Sequence, residues 1–361
     1  MKCCSCFLFL ACSVMLSLRA EGEAAPEPVI ESVTLRKSGP ISWEGRQHET
    51  LDALRIEKDV SIRLAHCSDI TISSCDLHSI DLAECKRITI RNCWIHDSKH
   101  PGVADYNSRE VLVQGCRVET VSSGVYAVES QHVQVLGNFV RNVIGPMPRG
   151  QMVQFDNVTG RENIIRGNYA INERGKSHPE DVVSIYMSAG EAGSPILIED
   201  NYFTGDPSEG SAGKSASGSG IMLADFGGAH LWCRRNVILS AGQVGIGVAG
   251  GSFIRVEDNV IFGSRSDVAN VGLYAWNQSK RPSHDVAIAR NRVEWLNHDG
   301  ERNDWWDGGG IDKLHMEANE FGGRRLAADL PAAPSHAPMP PGPYTHRTAG
   351  GTLVVRIPWE H

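Results

Sequence analysis

Hydrophobic and polar positions follow one short phrase that recurs about ten times between residues 70 and 320. Each copy has an apolar–x–apolar triplet, two small or polar residues, a Cys or Asn, and a second apolar pair, as in VLVQGCRV and IRVEDNVI. Such alternation is typical of short strands, and separations of 18 to 35 residues between copies indicate a solenoid. The pattern therefore predicts an all-β, right-handed parallel β-helix of about ten coils over residues 61–321. The Cys and Asn positions are Cys75, Cys93, Cys116, Asn138, Asn168, Asn201, Asn236, Asn259, Asn291 and Asn319.

The Cys or Asn of each phrase is expected to stack on its counterpart in the next coil. Asn tolerates the left-handed backbone region and bonds to nearby backbone groups, so we expect it to form the bend itself. Coils about 4.8 Å apart bring successive side-chain amides into contact, which predicts an Asn ladder. Cys75, Cys93 and Cys116 take the same place as small apolar residues, without the CxxC and His spacing of a metal site.

Composition divides the chain into four segments. Residues 1–20 have one Lys, an apolar centre and a small final residue, which is typical of a cleaved signal peptide; a lipoprotein anchor at Cys12 is the alternative. Residues 21–60 are expected to form a tail and an N-terminal cap, residues 61–321 the β-helix, and residues 322–361 a Pro-rich extension with a terminal strand. We therefore expect a secreted or periplasmic monomer without a membrane span.

Net charge limits the classes of partner that the chain could bind, and cysteine spacing indicates where a disulfide could form. A formal net charge of −8 gives no basic footprint, so no nucleic-acid partner is expected. Recognition of an acidic glycan would need local Arg and Lys side chains. Cys67 and Cys85 end the matching phrases SIRLAHC and SIDLAEC and should lie one coil apart. Export would permit a disulfide between them, although packed free thiols are the expectation.

A second apolar strand precedes each Asn phrase, and its side chains alternate between two faces. Aligning the copies places one aliphatic row inward: Val125, Val153, Val183, Ile221, Ile246 and Leu273. Two outward rows follow, the first of Tyr126, Gln154, Ser184, Met222, Gly247 and Tyr274, the second of Val128, Asp156, Tyr186, Ala224, Ala249 and Trp276. Aromatic rings beside small residues suit the stacking of sugar rings, so this face predicts a polysaccharide groove. The alternative is that the rings underlie the loops entering each coil.

The loops before these strands carry the densest group of ionisable residues. Residues 145–150 and 171–181, with the strand start that follows each, supply Arg149, Gln151, Glu173, Arg174, Lys176, His178, Glu180 and Asp181. Functional residues concentrate on loops held by a rigid scaffold, so we expect this group to lie over the outward rows. The positions beneath it are Gln154, Asp156, Ser184 and Tyr186. Asp181 falls on the inward parity of its strand, and Asp225 precedes two Gly residues, where a turn role is expected.

The coil phrase and its Asn series resemble the pectate lyase-like superfamily over residues 61–320. This resemblance implies a right-handed parallel β-helix and an activity on acidic polysaccharides. The paired Asp and spaced Arg of pectate lyases, the Asp-Pro-His-Glu/Asp motif of alginate epimerases and the paired Asp of polygalacturonases are not recognisable here. The resemblance therefore implies a fold and a substrate class, and leaves the reaction open.

Two reactions fit the ionisable group, and β-elimination or related uronate chemistry is the first expectation. There, the acid and the base would come from Lys176, His178 and Tyr186. Arg149 or Arg174 would hold the substrate carboxylate. Glycoside hydrolysis is the alternative, with two carboxylates drawn from Asp156, Glu180 and Asp181.

Metal binding and a purely binding function also stay open. The same carboxylates could hold Ca²⁺, although the sequence does not establish a cofactor. A glycan-binding or scaffold protein would spread aromatic residues such as Tyr126, Tyr274 and Trp276 along the groove without an ionisable focus. The focus at residues 149–186 favours an enzyme, in which Tyr126, Arg149, Gln151, Gln154, Ser184, Tyr274 and Trp276 bind substrate.

Overall fold

The computed structural model describes residues 35–57, 60–145, 150–173, 175–205, 219–323, 330, 331 and 333, with the backbone of 346–347 and 353–354. All regular elements in these residues are strands. In chain order, the first half comprises β1 (Arg36–Ser38), β2 (Ile41–Glu44), β3 (Gln47–Asp52), β4 (Leu54–Ile56), β5 (Ser61–Ala65), β6 (Ser68–Ser73), β7 (Asp76–Leu77), β8 (Ser79–Ala83), β9 (Lys86–Arg91), β10 (Trp94–Ser98), β11 (Val103–Tyr106), β12 (Arg109–Gln114), β13 (Arg117–Val121), β14 (Val125–Val128), β15 (Gln131–Leu136), β16 (Phe139–Val143), β17 (Val153–Asp156) and β18 (Ile164–Arg166). The second half comprises β19 (Tyr169–Ile171), β20 (Asp181–Tyr186), β21 (Ile196–Glu199), β22 (Tyr202–Thr204), β23 (Ser219–Asp225), β24 (Ala229–Arg234), β25 (Val237–Leu239), β26 (Val244–Val248), β27 (Ser252–Glu257), β28 (Val260–Gly263), β29 (Val271–Trp276), β30 (His284–Ala289), β31 (Arg292–Trp295), β32 (Trp305–Gly309), β33 (Asp312–Glu317), β34 (Glu320–Phe321), β35 (His346–Arg347) and β36 (Leu353–Val354).

Three long parallel sheets contain all of these strands except the last two. Sheet A has 12 strands, from β1 through β4 and β7 to β34; sheet B has 11, from β2 to β32; sheet C has 11, from β3 to β33. Each strand pairs with the strand three places later, so one strand from each sheet makes one coil. The predicted parallel β-helix is confirmed, with 11 strands in each of sheets B and C where about ten coils were expected. β35 and β36 form a separate antiparallel pair.

Aliphatic side chains fill the inside of the solenoid. Val125 pairs with Val153, Val153 with Val183, and the series continues through Ile221 and Ile246 to Leu273. All six side chains are buried, as the sequence predicts. Full burial of one such side chain contributes about 1.5–3 kcal/mol, so the repeated core supplies much of the stability of each coil.

The corner between sheets C and A has a constant length of two residues from β6–β7 to β33–β34. The first residue has a positive φ, as at Asp200 (57°) and Asp258 (56°), and the second is the Cys or Asn of the phrase. The prediction that the Asn itself adopts the left-handed conformation is therefore wrong. The preceding residue makes the bend, which leaves the Asn side chain directed at the neighbouring coils.

The Asn side chains form a continuous ladder along this corner. Each Nδ2 donates to the Oδ1 of the next Asn at 2.9–3.0 Å, from Asn138 to Asn319. Each Oδ1 also accepts the backbone N–H of the preceding Asn, as Asn259 does from Asn236 at 3.0 Å. Because Asn138 to Asn291 are almost fully buried, these bonds form away from water. The predicted ladder is confirmed.

The six cysteines of the described residues are buried and free. Cys116 joins the ladder through its backbone N–H, which donates to Asn138 Oδ1 at 2.9 Å. Complete burial raises the pKa of the Cys93 thiol well above its ordinary value. Cys67 and Cys85 follow the paired residues Ala65 and Ala83, so they lie one coil apart as predicted, without a disulfide.

The coils begin earlier than the sequence predicts. Strands β1, β2 and β3 pair with β4, β5 and β6 in the three sheets. The prediction that residues 36–56 form a cap distinct from the coils is therefore wrong, because these residues already contribute coil strands. The short, irregular apolar phrases of this stretch hide the repeat.

Both chain ends lie mostly outside the described residues, including the predicted signal peptide (1–20) and most of the Pro-rich extension (322–361). Tyr202 Oη donates to the carbonyl of Pro331 at 3.5 Å, which places Pro331 against the outer face of sheet A. Over the part of the chain that the structure describes, no helix is long and apolar enough to cross a membrane.

Candidate functional site on the outer face of sheet B

The outer face of sheet B carries three rows of side chains that run along the solenoid axis. Row 2 is the first outward row of the sequence prediction, and its alignment is confirmed by strand pairing: Tyr126, Gln154, Ser184, Met222, Gly247 and Tyr274. Rows 1 and 3 flank it, at the beginning and the end of the sheet B strands. They differ from the prediction at two positions that carry chemistry.

Row 3 contains an aspartate that the alternation pattern misplaces. Asp156 pairs with Tyr186 as predicted, but Tyr186 pairs with Asp225 across a bulge, and Ala224 is fully buried. Ala224 has a φ of 54°, so the extra residue turns inward and moves Asp225 onto the outer face. The predictions that Ala224 lies in the outward row and that Asp225 is a turn residue are therefore wrong. Ala249 is also fully buried, so it adds no exposed surface to the row.

Row 1 contains Asp181, which the period-2 pattern assigns to the inside. Asp181 pairs with Ser219, and Val244 with Val271 in the same row. Val244 and Val271 pack with Tyr274 and Met222 in a cluster separate from the main core, so this row faces outward. Alternation is therefore interrupted between this row and the inward row of Val183. The inward assignment of Asp181 is wrong.

Row 3 places two carboxyl groups on either side of Tyr186. Asp156 accepts a hydrogen bond from Tyr126 Oη at 3.2 Å. Asp225 is partly exposed, and burial raises the pKa of its carboxyl above the ordinary value, while the backbone N–H of Phe226 partly offsets this effect. Asp156 and Asp225 are two strands apart, so their Cα positions are separated by about 10 Å.

Rows 1 and 2 hold a second acidic group next to this pair. Burial raises the pKa of Asp181 well above its ordinary value, and the charges of Glu180 and Asp225 add to the shift. Glu180 accepts a hydrogen bond from Gln151 Nε2 at 2.6 Å. Burial and the charges of Asp181 and Asp225 also raise the pKa of Tyr274. Asp181, Asp225 and Tyr274 thus share one electrostatic environment.

Accessible contact area on this face is concentrated in row 3 and at its two ends. Tyr126 and Tyr274 are only 7% and 5% exposed, so the predicted stacking floor is not open at these rings. Gln151, Gln154 and Ser184 are buried as well, so they offer little surface to a ligand. Trp276 is 40% exposed, as its predicted contact role requires.

Further exposed aromatic side chains extend the face beyond the predicted set. Trp306 is 44% exposed and lies 5.4 Å from Trp276 between ring centroids. Phe226 is 59% exposed and lies 5.5 Å from Tyr186, and Tyr106 occupies the other end of row 3. Asp225, Phe226 and Trp306 were missed from the sequence. The Gly227–Gly228 pair after Phe226 was the available signal, since Gly pairs accompany irregular strand ends.

Several predicted site residues lie at the loop edge or outside the described residues. Lys176 is exposed, and its Nζ lies 3.3 Å from Glu173 Oε2. Arg141 also bonds Glu173 and, with Asn142, lowers the pKa of that carboxyl to about 2. His178 is exposed, and its backbone N–H bonds the carbonyl of Val143. The structure therefore places Lys176 in a loop ion pair, and Arg149 and Arg174 lie outside the described residues.

The carboxyl groups of this face are the candidate ligands for a metal ion. In the ranges that the structure describes, no three His, Cys, Asp or Glu side chains are grouped so that they could hold a metal ion. Asp156, Asp181 and Asp225 are spread over two rows and three strands, which differs from a compact set of oxygen ligands. The Ca²⁺ hypothesis stays a prediction.

Comparison with known proteins places the chain among β-helices. Residues 40–211 match the family model described as "right handed beta helix region". No curated protein sequence matches the chain. Among solved structures, a hyperthermoactive exopolygalacturonase from Thermotoga maritima is similar with a TM-score of 0.56 and 8% identity, over 80% of this chain and 83% of that one.

Two more solved structures align with lower scores. The surface protein and adhesin PfbA of Streptococcus pneumoniae has a TM-score of 0.43 and 10% identity, over 78% of this chain and 91% of that chain. The alginate lyase AlyF-OU02, solved with G6, has a TM-score of 0.47 and 12% identity, over 80% of this chain and 66% of that chain. At such identities a similarity concerns the fold. Together with the sheet topology, the match to the family model shows that the chain folds as a right-handed parallel β-helix.

Proposed function

We propose that this protein hydrolyses a glycosidic bond of a polysaccharide on the outer face of sheet B. The observation that carries the proposal is the pair Asp156 and Asp225, which flank the partly exposed Tyr186 in row 3. Glycoside hydrolysis needs two carboxyl groups on opposite sides of the scissile bond, one protonated and one ionised. This pair supplies both in one row.

The two carboxyl groups lie in different surroundings. Burial raises the pKa of Asp225, which suits a general acid that must hold its proton before the reaction. Asp156 accepts the hydrogen bond of Tyr126 Oη, which holds its carboxyl group in place beside Tyr186. We assign Asp225 as the acid that protonates the leaving oxygen and Asp156 as the base that activates water.

Strand spacing favours a particular stereochemical outcome. The Cα positions two strands apart lie about 10 Å from each other, and the two side chains can incline to shorten the distance between their carboxyl groups. Inverting glycosidases separate these groups by about 6.5–9.5 Å, because a water molecule must fit beside the sugar. We therefore expect hydrolysis with inversion at the anomeric carbon.

Uronate elimination, the first expectation from sequence, has less support from the described face. That reaction needs a cation or metal at the substrate carboxylate. Asp181 lies within the influence of the charges of Glu180 and Asp225. Lys176 is paired at the loop edge, and the Arg281 side chain lies beside Gly227, just after the end of β23. Arg149 and Arg174 are outside the described residues, so elimination keeps the place of second candidate.

A substrate screen and three variants test the proposal. The purified protein is incubated with neutral and acidic polysaccharides, and reducing ends and the ultraviolet absorbance of unsaturated products are measured together. Hydrolysis should raise reducing ends alone, whereas elimination raises both. On a cleaved substrate, Asp156→Asn and Asp225→Asn should each lower kcat by about 100-fold or more, while the matched surface control Asp312→Asn should not change it.

Three results would decide against this assignment. Unsaturated products would replace hydrolysis with elimination. Near-normal turnover in both Asp variants would place the catalytic groups elsewhere. Binding of a glycan without any product, lost in Trp306→Ala, would leave a glycan-binding protein.

A further inference from the structure

A polar pocket lies at the N-terminal end of the same outer face. It has a volume of about 350 Å³ and lies between the first sheet B strands and the corner after β10. Arg63, His78, Lys99 and His100 line it, together with several Ser residues. Arg63 belongs to row 2, because Ser42 pairs with Arg63, Arg63 with Asp81, and the series continues through Ala104 to Tyr126. The pocket therefore continues the face that carries Asp156 and Asp225.

The positive charges of this pocket are weakly compensated. Arg63 Nε lies 3.6 Å from Asp81 Oδ2, and the Arg63 side chain is 72% exposed, so this ion pair is loose and hydrated. Lys99 is exposed at the pocket rim. Asp97 also lines the pocket, but its Oδ2 lies 2.9 Å from His96 Nδ1.

His96 lies between the carboxyl groups of Asp76 and Asp97. Its Nε2 lies 2.9 Å from Asp76 Oδ1 and its Nδ1 lies 2.9 Å from Asp97 Oδ2, so each ring nitrogen faces a carboxyl oxygen. Burial opposes the charge, yet the hydrogen bonds to Asp76 and Asp97 prevail and raise the pKa of His96. The negative charge of Asp97 is thus engaged, and Arg63 and Lys99 dominate the pocket.

His78 adds a directed group to the pocket wall. Its Nδ1 lies 2.6 Å from the carbonyl of His96, and since a carbonyl only accepts, this nitrogen carries the proton. The ring is mostly buried and forms part of the pocket wall. Hydroxyl groups of Ser61 and Ser79, 2.5 Å apart, lie beside it.

We propose that this pocket binds an anionic substituent of a glycan, a carboxylate or a sulfate ester, borne by a sugar that lies remote from the reacting bond. Charge-assisted hydrogen bonds from Arg63 and Lys99 match such a group, and the pocket volume fits one sugar residue rather than a chain. Arg63 lies four strands from Asp156, about 19 Å along the face. One polymer can therefore occupy the pocket and row 3 at once.

This site differs in charge from the rest of the face. Row 3 carries carboxyl groups around Tyr186, and the C-terminal end carries Trp276 and Trp306. An acidic sugar is favoured at the cationic side chains of Arg63 and Lys99 over the carboxyl groups of row 3. The pocket would thus fix the direction in which an asymmetrically charged chain lies. The position of the reacting bond rests on the hydrolysis proposed above, whereas binding of the anionic group at Arg63 and Lys99 can be measured without turnover.

Calorimetric titration of the protein tests the site with three probes of similar length. Galacturonate hexasaccharide carries carboxylates, a dextran sulfate oligosaccharide carries sulfate esters, and maltohexaose is neutral. Titrations use the Asp156→Asn protein, so that turnover does not interfere and a failure of the hydrolysis proposal leaves the binding result interpretable. We expect at least one acidic probe to bind at least tenfold more tightly than maltohexaose at low salt, with the preference reduced by salt.

Substitutions then locate the binding. Arg63→Gln and Lys99→Gln should each weaken the acidic probe about 5- to 20-fold, because each removes a charged donor. Arg109→Gln, an exposed Arg on sheet C, is the matched control and should leave affinity unchanged. Binding of the carboxylated probe alone, the sulfated probe alone, or both identifies the anion. Equal affinity for maltohexaose, no binding of either acidic probe, or unchanged affinity in Arg63→Gln and Lys99→Gln would overturn the proposal.

Discussion

Replacing Asn236 with Leu should destabilise the protein strongly, because this residue lies in the middle of the Asn ladder. Its Nδ2 donates to Ile198 O at 2.9 Å and to Asn259 Oδ1 at 3.0 Å. Its Oδ1 accepts from the Asn201 backbone N–H at 3.1 Å and from Asn201 Nδ2 at 2.9 Å. Leu at this position removes all four bonds and leaves their partners buried without water.

The four hydrogen bonds set the size of the loss in the free energy of unfolding. A buried hydrogen bond contributes about 1 kcal/mol net, so four lost bonds correspond to about 4 kcal/mol. Buried polar partners left without a hydrogen bond would increase this loss. Asn319→Leu is the matched control at the end of the ladder. It also removes three side-chain bonds, but Asn319 is partly exposed, so water can replace them and the cost should be about 1–2 kcal/mol.

Urea unfolding followed by tryptophan fluorescence and circular dichroism measures both variants. The free energy of unfolding should fall about 4 kcal/mol in Asn236→Leu at an unchanged denaturant slope. A changed slope, or different midpoints from the two probes, would show that part of the solenoid unfolds separately, and the comparison would then use thermal midpoints. If both variants lose the same amount, or Asn236→Leu loses less than about 1 kcal/mol, the ladder is not a main source of stability.

Three further predictions follow from buried groups. Burial raises the pKa of Asp105 to about 6 despite the nearby Ser108 and Ser130, so its contribution to the free energy of unfolding is present below about pH 4 and lost as pH rises through 6. The free energy of unfolding from urea titrations should therefore fall by about 3 kcal/mol more between pH 4 and pH 8 in the wild type than in Asp105→Asn. The same fall in both proteins would contradict this prediction. The raised pKa of His96 means that its stabilising charge is present below the ordinary His value and lost as pH rises through the folded pKa, so the urea midpoints of wild type and His96→Gln should converge at alkaline pH; a constant gap would refute this. The six coil cysteines from Cys67 to Cys233 should react with a thiol reagent only at the rate of unfolding, since they are buried and burial raises the Cys93 pKa; fast labelling of any of these six in buffer, located by peptide mass spectrometry, would contradict this.

Sequence periodicity predicts the coil interior well because one pattern controls it. The series from Val125 to Leu273 follows from alternation, since each inward position must be apolar for neighbouring coils to stack. The ladder follows from Asn spacing for a similar reason. The identity of the residue that bends, such as Asp200 or Asp258, does not follow, because several residue types adopt the left-handed conformation there.

The candidate site is harder to predict because it lies where alternation stops. Asp225 reaches the outer face through a bulge at Ala224, and Asp181 lies in an outward row because alternation is interrupted between it and Val183. Both events shift the parity of side chains by one position, which a period-2 pattern cannot detect. The alignment of Tyr126 with Gln154 and of Asp156 with Tyr186, by contrast, follows from regular alternation.

The constant two-residue corner between sheets C and A has a consequence for how this protein can diversify. An insertion there would separate two Asn amides and interrupt the ladder, so selection against such insertions should be strong. The other two corners border sheet B and already differ in length, since β22 ends at Thr204 and β23 begins at Ser219 whereas β25 ends at Leu239 and β26 begins at Val244. Tolerance for new loops is therefore confined to the edges of one face. The same hydrogen bonds that align the coils direct evolutionary change toward the surface that meets the ligand.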